Sequence, residues 1–309
     1  PLYPIELEVL IVNNFYYIVL SLFNVICWKT YSKMNSKFNE VVIAAAVRTP
    51  IGSFKGSLKN IKADQLGSIV IKELINRANI NSEDIDELIL GQVLTAGAGQ
   101  NPARQASINA GLPKSIPAYL INQVCGSGLR SVILGFQTIK LNEAKYIISG
   151  GQENMSIAPH TLFYRNENKL SEEKLTDTMM HDGLIDAFNK YHMGITAENI
   201  AEKFNISRKE QDSFALKSQD KTQLALKQNK FKDELISVNL DGSFLNSDEH
   251  PRKDLIIEDL EKLKSAFKEN GTVTAGNASG VNDGAAAVLL TTFDEAQKRS
   301  LKPFVRIVS

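Results

Sequence analysis

The stretch Ile116-Pro117-Ala118-Tyr119-Leu120-Ile121-Asn122-Gln123-Val124-Cys125-Gly126-Ser127-Gly128-Leu129-Arg130 contains the change of period on which the fold turns. The apolar run through Ile121 reads as a strand. From Leu129 to Ile139, with Val132 and Leu134 among the apolar positions, the pattern reads as a helix. A tight turn bearing a thiol lies between them. A thiol at a helix N-terminus faces unpaired backbone N–H groups and the positive end of the dipole, and both favour thiolate. Gly126 and Gly128 carry no Cβ and so allow a substrate close to the backbone. This layout predicts a cysteine that forms covalent intermediates. A lone cysteine without such context is read as a small buried hydrophobe.

Upstream of this stretch, Val41 to Val47 reads as a buried strand that ends in the turn chemistry of Arg48-Thr49-Pro50-Ile51-Gly52. A helix is expected from Ala63 to Ala78 and a short strand from Ile85 to Leu90. A Gly/Ala-rich loop from Gly91 to Pro102 leads to a helix through Arg104 to Ala110. Downstream, Tyr146 to Ser149 is another strand. The alternation of strands and helices argues for a layered α/β core. From about Ile157 to Gly271 the texture becomes charged and helical, as in Thr196 to Phe204 and Lys209 to Lys227, and reads as an inserted subdomain. Ala285 to Thr291 reads as a return strand, Asp294 to Arg299 as a helical turn, and Phe304 to Val308 as the start of another strand.

Composition narrows the function classes. The 309 residues are 43% hydrophobic and 23% charged, which is ordinary globular material. Lys plus Arg and Asp plus Glu are 35 each, so net charge is zero, and nothing suggests the clustered positive charge that a nucleic-acid partner needs. Two cysteines, Cys27 and Cys125, make neither a disulfide framework nor a zinc site. A reducing compartment such as the cytoplasm fits. The apolar run at residues 9–28 has about the ~20 residues needed to cross a bilayer. It is weakened by Asn13, Asn14 and Asn24 and lacks a signal-peptide layout. Upstream translation ahead of a start at Met34, a membrane anchor and an ordered extension all stay open for it. A membrane partner is expected only if residues 9–28 are a genuine span.

The motifs together resemble the thiolase family, in its acetyl-CoA acetyltransferase branch. The resemblance runs from about Val41 to Ser309. It rests on Arg48-Thr49-Pro50-Ile51-Gly52-Ser53-Phe54, Gly97-Ala98-Gly99-Gln100-Asn101-Pro102-Ala103-Arg104-Gln105 and Asn122-Gln123-Val124-Cys125-Gly126-Ser127-Gly128. Further along it rests on Gly150-Gly151-Gln152-Glu153-Asn154-Met155-Ser156, His192-Met193-Gly194, Asp248-Glu249-His250-Pro251-Arg252 and the run Gly271 to Ala286. Several long motifs in one order are a far stronger signal than one glycine-rich loop.

The resemblance implies an α-β-α layered N-terminal domain with an inserted, mainly helical loop subdomain that binds CoA. The implied boundaries are an atypical apolar extension at 1–38, a core with the nucleophile at 39–156, the CoA-binding insertion at 157–270, a return to the core at 271–300, and the start of a C-terminal domain at 301–309. The implied activity is condensation of two acetyl-CoA to acetoacetyl-CoA and CoA, and its reverse, with a broader-range 3-ketoacyl-CoA thiolase as the alternative. Cys125 is then the nucleophile, and its backbone N–H contributes to an oxyanion hole. His192 and Met193 line the pantetheine and acyl pocket, Ser279 bonds the pantetheine arm, and Arg252 meets the nucleotide phosphates. Phe267 and Ala275 form pocket walls. CoA thioesters are the substrates, no metal or resident cofactor is implied, and the assembly is a homodimer or homotetramer.

Each residue has a plainer reading: His192 as a cap or loop histidine, Asn277 and Ser279 as turn residues, Arg252 as a solvated charge, and Glu153 and Asn154 as packing residues. The chain also departs from the family pattern. The resemblance calls for a Gly-His-Pro histidine and a second cysteine in a further domain. His160, His181, His192 and His250 lie in no such motif, and no cysteine follows Cys125. The expectation is therefore an N-terminal piece of a longer protein, with low activity or none by itself. A CoA-binding pseudoenzyme and a redox-sensing thiol protein are the competing readings.

Overall fold

The computed structural model describes residues 40–162 and 175–308. The expected extension at 1–38, with its run at residues 9–28, lies outside them. Strands are β1 (Val41–Arg48), β2 (Glu87–Gly91), β3 (Ala118–Ile121), β4 (Ile147–Asn154), β5 (Asn282–Thr292) and β6 (Val305–Arg306). Helices are α1 (Ala63–Ala78), α2 (Pro102–Asn109), α3 (Ser127–Lys140), α4 (Met193–Lys203), α5 (Arg208–Lys227) and α6 (Phe293–Lys298).

One mixed sheet runs in the order β6-β1-β5-β4-β2-β3, with Gly52–Ser53 pairing onto the start of β5. β4, β2 and β3 are parallel, whereas β5 is antiparallel to both β1 and β4. The sheet is covered on both faces, and the side-chain period of two shows it. Leu88, Leu90, Ile148, Ala285, Ala287 and Leu289 face α1 and α2, packing with Leu66, Val70, Ile71 and Leu74. Their neighbours Ile89, Ile147, Val288 and Leu290 face α3 and pack with Val132 and Ile139. Strands buried on both sides read as continuous apolar runs, and β5 and β2 do so. The expected α-β-α layering is the observed one.

The expected strand at Tyr146 to Ser149 extends to Asn154, because Gly150 carries the ladder on where a side chain could not fit. A Cβ on Gly150 would come within 2.1 Å of the Ala286 carbonyl oxygen. Between β4 and β5 the regular structure of the described residues is mostly helix, with α4, α5 and a short helix Ile257–Glu261, plus a small hairpin of Val238–Leu240 and Ser243–Leu245. α5 starts with a capping box in which the Ser207 hydroxyl accepts from Glu210 N at 3.2 Å and Ser207 N donates to the Glu210 carboxylate at 2.7 Å. Among the described residues no helix is long and apolar enough to cross a membrane.

Candidate functional site

Cys125 stands in the turn between β3 and α3 and is exposed to solvent. The residue before it, Val124, has φ +47°. A β-branched side chain in the left-handed region is strained, since its Cβ crowds the backbone. Such strain persists only where neighbours over-determine it, at a cost of about 1–3 kcal/mol. Here the neighbours are visible. Val124 N donates to Asn122 Oδ1 at 2.9 Å. The Ser127 hydroxyl donates to Val124 O at 2.6 Å and accepts from Gln123 N at 2.8 Å. A sharp strand-to-helix turn of this kind pushes its central side chain out of the sheet toward a substrate.

The expectation of an ionised thiol is corrected by this turn. Cys125 precedes the N-cap, Gly126, rather than sitting within the first helical turn. Two N–H groups that would have faced it are taken up locally. Gly126 N donates to Gln123 O at 3.0 Å and Ser127 N to Val124 O at 3.1 Å. Partial burial raises the thiol pKa above its ordinary value, and its own backbone N–H pulls the other way more weakly. Desolvation at this turn therefore works against the thiolate that a helix start favours.

Gly128 lies against the end of β2, where a Cβ on Gly91 would come within 2.5 Å of Gly128 N. The bareness of Gly91 lets the helix start sit directly on the sheet. Gly126 has an ordinary right-handed backbone and needs no special freedom.

Behind the turn is a buried polar layer. Glu153, 5% exposed, accepts from Val93 N at 2.8 Å and from Leu94 N at 3.3 Å. Burial pushes its carboxyl up to about 8 against those two N–H donors, and nearby Asp283 adds to the rise. Gln152 Nε2 donates to Gln92 Oε1 at 2.8 Å, and Gln92 Nε2 to Leu94 O at 2.8 Å. Asn154 Nδ2 donates to Ile61 O at 2.7 Å. For Glu153 and Asn154 the plainer hydrogen-bonding reading matches the geometry. A cleft of about 360 Å³ reaches this region, with Gln92, Thr95, Asn101 and Asn122 among its walls.

The other expected site residues fall in two groups. His192 caps α4, its Nδ1 accepting from Gly194 N at 2.9 Å, and burial lowers its pKa. Its ring stacks on Phe267 with centroids 4.7 Å apart. Gly194 makes room for that ring, since a Cβ there would come within 2.2 Å of it. Met193, the first residue of α4, is exposed beside them. In the second group, Arg252 Nη2 donates to Ala275 O at 2.8 Å, leaving the side chain otherwise at the surface. Ser279 is exposed, with only a long 3.4 Å contact to Gly280 O, and Gly280 lies against the His250 ring. The structure thus joins His192 to Phe267 and Arg252 to Ala275. The hydrogen bonds made by 122–127 stay within residues 93–130 and do not tie Cys125 to either group.

Buried carboxylates fasten these loops, and no local sequence pattern marks them. Glu198 accepts from Thr272 N at 2.9 Å and Val273 N at 2.8 Å. Desolvation opposes its charge, but those N–H groups win and hold its pKa below the ordinary value. Asn277 accepts from Thr274 N at 2.7 Å and donates to Asp212 at 2.8 Å, so its turn reading extends to a tether on α5. Arg48 meets Asp248 at 2.6 Å and Glu234 at 2.7 Å, with Asp248 wholly buried. Glu249 accepts from Ser53 N at 3.0 Å and from the Ser57 hydroxyl. Arg48 and Asp248–Glu249 are therefore a clamp between two segments about 200 residues apart. Among the described residues no group of three or more His, Cys, Asp or Glu is placed to hold a metal. Asn122, Ser127 and Val124 were missed as contributors. The one local signal was an Asn two residues before a turn position, which is the Asx-turn pattern.

The layered sheet thus carries an exposed cysteine on a strained strand-to-helix turn. The chain belongs to the thiolase family: the family described as "Thiolase, N-terminal domain" matches residues 41–294. It is 52% identical over 274 residues to an acetyl-CoA acetyltransferase of Paracoccus denitrificans, covering 87% of this chain and 70% of that protein. It is 50% identical over 278 residues to an acetyl-CoA acetyltransferase of Rhizobium meliloti, with the same coverage. A probable acetyl-CoA acetyltransferase of Escherichia coli is 50% identical over 273 residues, again covering 70% of its length.

Proposed function

We propose acetyl-CoA C-acetyltransferase activity with Cys125 as the nucleophile; without a Gly-His-Pro histidine or a cysteine after Cys125, the 309 residues alone are expected to have low activity or none. The observation that carries the reading is an exposed thiol on a strained strand-to-helix turn in a chain of the thiolase family. Cys125 Sγ, once deprotonated, attacks the carbonyl carbon of acetyl-CoA. The carbon–sulfur bond to CoA breaks, CoA leaves as a thiolate, and the proton given up by Cys125 returns to it. A second acetyl-CoA loses a proton from its methyl carbon, and the resulting carbanion attacks the acetyl-cysteine. This forms acetoacetyl-CoA and frees the cysteine sulfur. Both half-reactions need a base, and the raised thiol pKa makes the first depend on one as well.

In this reading His192, Met193 and Phe267 form one wall for the pantetheine and acyl group, and Ser279 bonds the pantetheine. Arg252, held beside Ala275, meets the nucleotide phosphates. The same reading carries a homodimer or homotetramer in the cytoplasm, with CoA thioesters as substrates and no resident metal or cofactor. The redox-sensor alternative is disfavoured, because peroxide-sensitive cysteines are low-pKa thiolates and Cys125 is shifted the opposite way.

The test is intact mass of the full chain after incubation with acetyl-CoA, with peptide mapping of the modified site. One acetyl group on Cys125, absent in Cys125→Ala, is the expected result. CoA binding with no adduct would instead assign the chain to the non-catalytic class.

A further inference from the structure

The turn that presents Cys125 is held from a point the apolar core does not reach. Val124 carries the strained φ of +47°, yet its side chain is 49% exposed and gains little from burial. Its conformation must therefore be fixed through hydrogen bonds. Asn122 reaches both sides. Its Oδ1 accepts from Val124 N at 2.9 Å, and its Nδ2 makes a long 3.5 Å contact to Val93 O. Val93 in turn is not free to follow, because its N–H is held by the buried Glu153 carboxyl at 2.8 Å. A bond from a side-chain oxygen to the N–H two residues on mimics a backbone turn and selects one conformation of the residue between.

We propose that Asn122 is a positioning residue for Cys125, tying the strained turn to the Val93 backbone that Glu153 anchors. It acts by fixing where the cysteine backbone N–H and Sγ point, without touching the reacting atoms. The proposal rests on the reading of Cys125 as the acyl acceptor, and it makes Asn122 responsible for rate rather than for substrate affinity. A displacement of about 1 Å at a reacting atom is enough to cost on the order of 10²-fold in rate.

The test compares wild type, Asn122→Ala and Asn122→Ser in the full chain by two readouts. Serine retains a hydroxyl that can make the same turn bond more weakly. The first readout is the rate of Cys125 acetylation against acetyl-CoA concentration. Asn122→Ala is expected to lower the maximal rate by at least about tenfold with half-saturation unchanged within about twofold, and Asn122→Ser to recover part of the loss. The second is the pH profile of Cys125 alkylation by iodoacetamide, read by peptide mapping so that Cys27 is separated. Loss of the tether should move the midpoint, because Sγ is no longer held in one place relative to the helix-start N–H groups. A midpoint that does not move, or a maximal rate within about twofold of wild type, overturns the proposal. If wild type is not acetylated at all, the acyltransferase reading fails, and the alkylation profile still decides the role of Asn122.

Discussion

The sheet that carries Cys125 and the segment that carries His192, Phe267 and Arg252 are held by different forces. In the sheet, adjacent residues of β2, β4 and β5 alternate between two apolar clusters, and burial fixes their register. In the segment between β4 and β5, α5 buries only Asp212 and Ala215 along its 20 residues. Ile236 and Val238 join the sheet's apolar cluster, and the rest is fastened by polar tethers: Glu198 to the 272–273 backbone, Asn277 to Asp212, and Arg48 to Asp248. These join residues 74, 65 and 200 positions apart. An apolar face is tolerant of detail, whereas a buried carboxylate fails as soon as its partner is removed.

The sharpest way to break that contrast is at the clamp. Asp248→Ala leaves the buried Arg48 with Glu234 as its one carboxylate partner and Ile51 N without its acceptor. It should cost about 3–5 kcal/mol, the usual penalty for stripping one partner from a buried pair. Urea unfolding of the full chain measures this, and a loss below about 1 kcal/mol would mean that the insertion is held by something else.

Glu153 tests the sheet side. Its folded pKa of about 8 lies above the ordinary 4.5, so the native state holds a proton that the unfolded chain has lost across that window. The neutral carboxyl's contribution is complete below the ordinary value and is lost as pH rises through about 8. Stability should fall with rising pH by roughly 1.4 kcal/mol per unit, or about 2 kcal/mol between about pH 6 and 7.5. In Glu153→Gln this slope should flatten. If the two proteins show parallel pH dependence, the carboxyl is not the titrating group.

The smallest effect belongs to the stacked pair. Phe267→Ala removes the ring that lies 4.7 Å from His192. The stacking itself contributes about 0.5–1.5 kcal/mol beyond area burial. The thermal midpoint should drop modestly, and the helix cap from His192 to Gly194 should survive, as read by an unchanged far-UV spectrum.

Much of the core was legible in residue order. The helix Ala63–Ala78 falls where its apolar period places it, and α3 and α5 lie within two residues of their expected ends. β4 ran longer than expected because period alone ends a strand at Gly150-Gly151, while the neighbouring β5 backbone accepts glycine there. The thiol was found, but its state was not. Free helix N–H groups at a start can be inferred from sequence, but their prior use by a turn cannot.

The sequence by itself determined the layered α/β core, the place of Cys125 at a strand-to-helix turn and the family motifs, because each depends on periodicity or on residues that are near neighbours. Only the tertiary structure decided that Val124 is strained, that Glu153 sits under the loop beside the cysteine, and that Arg48 clamps Asp248. Those depend on which buried polar groups meet across long separations, and a hydrogen-bond partner 60 or 200 residues away leaves no trace in local order.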